Sequence, residues 1–353
     1  VIGEHLGELQ PQFDDLDGVA PPAATLTFYG QQAQWEAFET ARGSDRLHHA
    51  WLLQGPRGVG KATLAFAMAR QLLGVERLDD GDGRPTFSPE DAQARQIAQG
   101  SHPNLIHISR PPADRGGFRT QITIDDIRRL NRFFQATTAA GRWRIAIVDP
   151  ADDLNRSAAN ALLKILEEPP ERSIFLITSH APGRLLPTIR SRCRLLRFEP
   201  LADGDLAAAL TATGAGLGEI EMKAAIQRAG GSVRDALSLV AHGGLEIDQR
   251  LTALWNAPRT DWHGVQELAD ALSARGRENS YDLLLASLLA FLSAEAEKRL
   301  AAGDADSAAR FASLWQRESG RFREALAYNL DRKQVVLSFF AALEEARGGP
   351  LAA

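Results

Sequence analysis

The sequence predicts an α/β fold, a parallel sheet covered on both faces, followed by a small helical domain and an all-helical C-terminal domain. Three observations predict it. Near-continuous apolar runs of four or five residues alternate with helix-patterned stretches between Phe28 and Phe198. A glycine-rich loop joins the first of these runs to a helix. From about Leu201 the strand signals stop and Ala-rich helical patterns take over.

Residues 1–25 are polar and carry Pro21-Pro22, so a loosely held leader is expected there. The α/β domain is expected over 26–200. Ala50-Trp51-Leu52-Leu53 is its first strand, and Thr63 to Ala69 lie on the helix after the loop. Val75 to Gly100, with Asp79-Asp80-Gly81-Asp82-Gly83-Arg84-Pro85 inside it, reads as a polar surface insertion. Leu105 to Ile108 is a strand, and Ile127, Leu130 and Phe134 mark one face of a helix beginning near Asp125. Ile145-Ala146-Ile147-Val148 is the most strand-like run. Ala161, Leu162, Ile165 and Leu166 then give a helical stripe that Pro169-Pro170 ends. Ile174 to Ile177 and Leu195 to Phe198 supply two more strands. The small helical domain is placed at 201–245, broken by Gly214, Gly216 and Gly230-Gly231. The C-terminal domain spans 246–353, with breaks near Pro258, Gly276 and Gly303.

The bulk numbers narrow the function classes. At 353 residues two or three domains are expected. The chain carries 40 basic and 45 acidic side chains for a net charge of -5, which argues against a protein that grips duplex DNA unaided. A single cysteine, Cys193, excludes an intramolecular disulfide and multi-thiolate sites and fits a reducing compartment. No apolar run approaches the roughly 18 residues that span a bilayer, and Val1 to His5 lack a signal-peptide pattern. A soluble, cytoplasmic chain with no membrane partner is the expectation.

Gly55-Pro56-Arg57-Gly58-Val59-Gly60-Lys61 follows a strand and opens a helix. In such a loop the glycines let backbone N–H groups converge on phosphate oxygens, and the lysine reaches the β and γ phosphates. The alternative is a glycine-rich turn that merely joins strand to helix. The next position needs a Ser or Thr hydroxyl for Mg²⁺, and it is Ala62. Thr63 lies about 100° further around the helix and cannot simply take over that ligand. Phosphate binding remains open, whereas tight Mg-nucleotide binding is not expected.

An apolar strand ending in an acid is the second half of a nucleotide-hydrolysing site. Ile145 to Val148 followed by Asp149 supplies it, with Asp149 at the metal position. The next residue, Pro150, has no basic side chain to activate water. Asp152 and Asp153 read as caps or solvated loop acids. Two losses in one site, Ala62 and Pro150, point to a retained scaffold with retired catalysis.

Four segments in order resemble bacterial replicative clamp-loader subunits of the AAA+ family. They are Leu47 to Lys61, Asn155 to Pro170, Ser191-Arg192-Cys193, and Gly231 to Ser238. The resemblance covers about Phe28 to Leu239. The C-terminal helices match in length and character, with Asn329-Leu330-Asp331-Arg332 similar to a late motif. The motor subunits of that family, gamma and tau, keep an intact loop and an acidic pair. The degraded positions here therefore resemble the delta-prime branch. Many relatives carry a four-cysteine zinc module after the first helix, but the corresponding insertion here has no cysteine, so no zinc is expected.

The resemblance implies roles. Arg192 would project into the ATP site of a neighbouring motor subunit, where a permanently charged guanidinium suits a transferring phosphoryl group. The plain alternative is a surface arginine paired to a carboxylate. Ser191 and Cys193 read as packing residues. Arg234 would be a second sensor or a tie between helical domain and sheet. Thr178 would be a first sensor or simply a polar strand end. Arg128, Arg129 and Arg132 would be DNA-phosphate contacts or a solvated helix face. The nucleotide-binding set is Gly55, Arg57, Gly58, Gly60, Lys61, Thr63 and Asp149, with no cofactor required and residual ATP binding left open. The implied partners are gamma/tau and delta subunits, with the sliding clamp and primer–template DNA reached through the complex. The rival expectation is a competent AAA+ ATPase. A stand-alone DNA-binding regulator fits poorly with the acidity and the lack of a reading motif.

Overall fold

A computed structural model describes residues 11–44, 47–113, 116–135, 142–257 and 259–348. The chain divides into two compact units between Leu237 and Ser238. The helices Asp203–Ala212 and Glu219–Ala229, assigned from sequence to a small separate domain, are counted with the sheet unit. The expected break at Pro258 lies outside the described residues.

The sheet has five parallel strands: β1 Ala50–Gln54, β2 Leu105–Ile108, β3 Arg144–Val148, β4 Ser173–Ser179 and β5 Arg194–Arg197. Their spatial order is β2-β3-β4-β1-β5. Every residue of β3 and β4 is buried, which is why both read as unbroken apolar runs. Alternation of side chains then splits the strands between two cores. Trp51, Leu53, Ile145, Ile147, Ile174 and Leu176 pack with Leu64 and Met68 of the helix Lys61–Leu73. Leu52, Ala146, Val148, Phe175 and Ile177 pack with Ile127 of the helix Ile124–Gln135 and Leu162 of the helix Arg156–Glu167. Asn155 caps the last of these through a bond from Ala158 N at 2.8 Å.

Two expectations need correction. The described part of the leader is not loose. Ala24 is fully buried, and the buried Arg70 donates to Thr25 O at 2.9 Å and to Ala23 O. Residues 1–10 lie outside the described residues. Likewise Val75–Gly100 is only partly a surface insertion. A short hairpin, Arg77–Leu78 with Thr86–Phe87, and the helix Ala92–Ala98 bury Val75, Phe87, Ala94 and Ile97. Phe87 even forms a face for the Arg70 guanidinium at 5.8 Å. Residues 76–79 and 81–83 stay at the surface.

The second unit is helical: Gly244–Asn256, Trp262–Ser273, Glu278–Ala301, Ala305–Tyr328 and Arg332–Arg347. Leu251, Leu268, Leu284, Leu288, Phe311 and Phe339 form its core. Asp304 and Asp331 cap two of the helices through backbone N–H groups of Ser307 and Gln334. Leu326, Tyr328 and Leu330 are exposed. No described helix is long and apolar enough to cross a membrane.

Candidate functional site: a phosphate-loop cleft and a distant arginine

The loop runs from the end of β1 into Lys61–Leu73, as the motif requires. Gly58 has φ +77°, and a Cβ there would meet Ser232 Oγ at 2.2 Å and Arg234 Cβ at 2.7 Å. Glycine is needed twice over: for the left-handed backbone and for the close approach of Ser232 and Arg234. Val233 N donates to Gly58 O at 3.0 Å, fixing that approach. Gly60 also has positive φ and lies against Phe28.

Lys61 is almost wholly buried. Its Nζ donates to Gly55 O at 2.8 Å and to Pro56 O, so the loop's own carbonyls hold the ammonium. Burial pushes its pKa down to about 8, against the opposing pull of Asp149 and Asp152. Asp149 stands at the end of β3, where desolvation raises its pKa although Thr178 Oγ1 donates to it. Thr178 is thus bonded to the strand-end acid across β3 and β4. His107 Nε2 lies 3.9 Å from Asp149 Oδ2, and burial holds its pKa down to about 4, so the ring is neutral near pH 7.

The following acids are occupied elsewhere. Asp152 accepts from Ser179 Oγ at 2.8 Å and from the backbone N–H groups of His180 and Ala181, closing the turn after β4. Asp153 takes Arg110 in a two-pronged pair at 2.5 and 2.7 Å. Neither is placed to replace the base that Pro150 lacks. Thr63 sits half-buried one position beyond Ala62. With no hydroxyl at Ala62 and Asp149 desolvated and bonded by Thr178, the residues present do not fit a Mg²⁺-nucleotide. The cations Arg57, Lys61 and Arg234 do fit the charge of a polyphosphate.

One leader residue that sequence reading passed over reaches this loop. Asp14 pairs with Arg57 and, at 3.0 Å, with Arg234. Beside it, burial raises the pKa of Asp15.

Arg192 is elsewhere. The parallel register sets Arg194 beside Trp51 at the start of β1, whereas the loop leaves β1 after Gln54. About 10 Å of strand separates those levels, and Arg192 lies still further back. It is partly exposed, donates to Thr188 O at 3.0 Å and pairs with Glu167 at 2.9 Å. Cys193 behind it is mostly buried, with its pKa pushed up to about 12, so the thiol packs and does not react at neutral pH. Arg128, Arg129 and Arg132 are all exposed on Ile124–Gln135, Arg128 paired with Asp125 at 2.8 Å. Among the described residues no three His, Cys, Asp or Glu side chains gather as a metal site.

Residues 30–202 match the family model described as DNA polymerase III, delta subunit. The DNA polymerase III subunit delta' of Pseudomonas aeruginosa is 37% identical over 163 residues, 46% of each chain. Over these residues the chain belongs to the delta-prime family of clamp-loader subunits. A second member, subunit delta' of Bacillus subtilis, is 34% identical over 157 residues, 44% of each chain. Subunit gamma/tau of Mycobacterium bovis is 32% identical over 264 residues, 72% of this chain and 43% of that one. The matched stretches cover a little under half the length of each of these relatives. The clamp-loader match contains the phosphate loop, Asp149 and Arg192, but stops before Arg234.

Proposed function

We propose that this chain is a non-hydrolysing subunit of the DNA polymerase III clamp loader that lends Arg192 to the ATP of a neighbouring gamma/tau subunit. Its assembly with gamma/tau and delta would place the sliding clamp on primed DNA in the cytoplasm during replication. Arg128, Arg129 and Arg132 would touch the DNA backbone. The helical second unit would act as an oligomerisation collar, with exposed Leu326, Tyr328 and Leu330 at its contacts. As part of that holoenzyme the chain would serve a DNA-directed DNA polymerase, a nucleotidyltransferase, without hydrolysing ATP itself.

The observation that carries the reading is the separation of the two halves of an ATPase site. The chain's own loop, at the C-terminal end of β1, lacks the hydroxyl and the base that hydrolysis needs. Arg192 lies before the start of β5, out of reach of that loop, so a phosphate-directed role for it must be exercised on another chain. Such a guanidinium supplied in trans is worth about 10³ to 10⁵ in turnover in related phosphoryl-transfer systems.

The test is Arg192→Ala in the reconstituted loader. Assembly should persist while clamp- and DNA-stimulated ATPase falls by at least about tenfold. Unchanged ATPase defeats the reading. The longer match to gamma/tau, 72% of this chain, favours a competent ATPase as the second reading. Lys61-dependent ATP hydrolysis by the purified chain would establish it.

A further inference from the structure

Residues 12–15 of the leader form a turn, with Asp15 N donating to Gln12 O at 3.2 Å and Gln12 N to Asp15 Oδ2 at 2.7 Å. The turn is fastened beside β2: Ser109 Oγ donates to Gln12 Oε1 at 2.6 Å, and the Arg110 guanidinium lies 4.6 Å from the centroid of the Phe13 ring. Its tip carries Asp14 onto the phosphate loop. A single carboxylate oxygen, Oδ1, receives Nη2 of Arg57 and Nη2 of Arg234, the latter at 3.0 Å, while Arg234 Nη1 donates to Asp14 O. The two guanidiniums come from different elements, one from the loop and one from the segment at residues 232–234. Guanidiniums bind phosphate and carboxylate oxygens alike, and here both meet on a carboxylate of the same chain.

We propose that the turn Gln12–Asp15 is an internal ligand of the phosphate loop, with the Asp14 carboxylate holding the cations that would otherwise take a polyphosphate. The chain admits a polyphosphate only when this turn lifts away. Occupancy is set by competition, since Arg57 and Arg234 cannot serve both anions at once. The inference rests on the retained loop alone and stands whether or not Arg192 works on a neighbour. Because Asp14 and Arg57 are partly solvated, the pairs are screened and the gate is a modest one, on the order of tenfold in affinity.

The test uses the full chain and two probes, tripolyphosphate and Mg-free ATP, with affinities measured calorimetrically. Asp14→Asn should bind both about tenfold more tightly than the parent, whereas Asp17→Asn, an equal charge change at a nearby exposed position, should leave affinity unchanged. In the unsubstituted chain, adding tripolyphosphate should speed hydrogen exchange at the amides of residues 12–16 as the turn is displaced. Equal tightening by Asp14→Asn and Asp17→Asn would reduce the effect to general charge and overturn the proposal. So would binding without faster exchange, or no binding by Asp14→Asn at all. Loss of Arg192-dependent ATPase in the assembled loader reports on the other reading and leaves these measurements untouched.

Discussion

Arg192 and Glu167 form an ion pair at 2.9 Å, although both residues belong to segments that resemble clamp-loader motifs. The Arg192 guanidinium is therefore held by a carboxylate of its own chain at the end of Arg156–Glu167. Both side chains are partly exposed, so the pair contributes less than about 1 kcal/mol to stability. It sets direction more than strength.

Glu167→Gln should accordingly leave unfolding within about 1 kcal/mol of the parent and keep the ATPase of the assembled loader at or above the parent value. Freed of its partner, Arg192 reaches outward at lower cost. Arg192→Lys should behave like Arg192→Ala, since an ammonium cannot reproduce the fork of a guanidinium. Steady-state ATPase of the four assemblies checks both. A Glu167→Gln loader as slow as Arg192→Ala would mean that the pair itself is the working unit.

Lys61 gives the site a pH signature. Its folded pKa lies near 8, below the ordinary 10.5. Between those values the unfolded chain binds the proton and the folded chain does not, so this residue's contribution to stability rises with pH across that window. Below about 8 the full penalty of a buried ammonium applies. Lys61→Met removes it, so the variant should be more stable than the parent near pH 7. That difference should shrink by up to about 3 kcal/mol on going to pH 10.5. Urea unfolding of the two proteins across the range reads it directly. A constant difference would show an ammonium that is already well solvated.

The limits of sequence reading follow from where the constraints come from. Strands β3 and β4 were legible because both faces of each are buried, which forces the unbroken apolar runs Ile145 to Val148 and Ile174 to Ile177 at their centres. The loop from Gly55 to Lys61 was legible because its geometry is local, set by glycines within six residues. Asp14 was not, because its partners lie 43 and 220 residues away and nothing in Phe13-Asp14-Asp15 marks it off from polar coil. Phe87 and Ile97 were missed for a related reason. They sit in short elements, a two-residue strand and a seven-residue helix, too brief to show a period against their polar surroundings, and their burial is imposed by packing against Arg70 and its helix. Arg192 stood out through its resemblance to a family motif, while its pairing with Glu167 required the fold.

The buried Arg70 makes the leader's attachment measurable. Its guanidinium satisfies two carbonyls, those of Ala23 and Thr25, from a position with no solvent exposure. Arg70→Met keeps most of the volume but leaves those acceptors unpaired, at a cost of about 2–4 kcal/mol. Urea unfolding should show that loss, and hydrogen exchange of residues 20–26 should accelerate more than that of β3 or β4. Uniform acceleration across the sheet would mean that Arg70 supports the core and not the leader.

Arg128 and Arg129 offer the last test, of nucleic-acid contact. They lie on the exposed face of Ile124–Gln135, while Ile127 and Leu130 bury the opposite face, so charge changes there leave the core alone. Arg128 is already paired with Asp125, and a solvated i, i+3 pair of this kind is too weak to withhold it from a phosphate. Each phosphate neutralised adds about -0.9 to the slope of log affinity against log salt. The double substitution Arg128→Glu and Arg129→Glu should weaken primer–template binding by the assembled loader and flatten that slope by about one to two. It should do so equally for unrelated DNA sequences, because backbone contacts carry no sequence information. A salt slope identical to the parent's would assign this helix face to solvent.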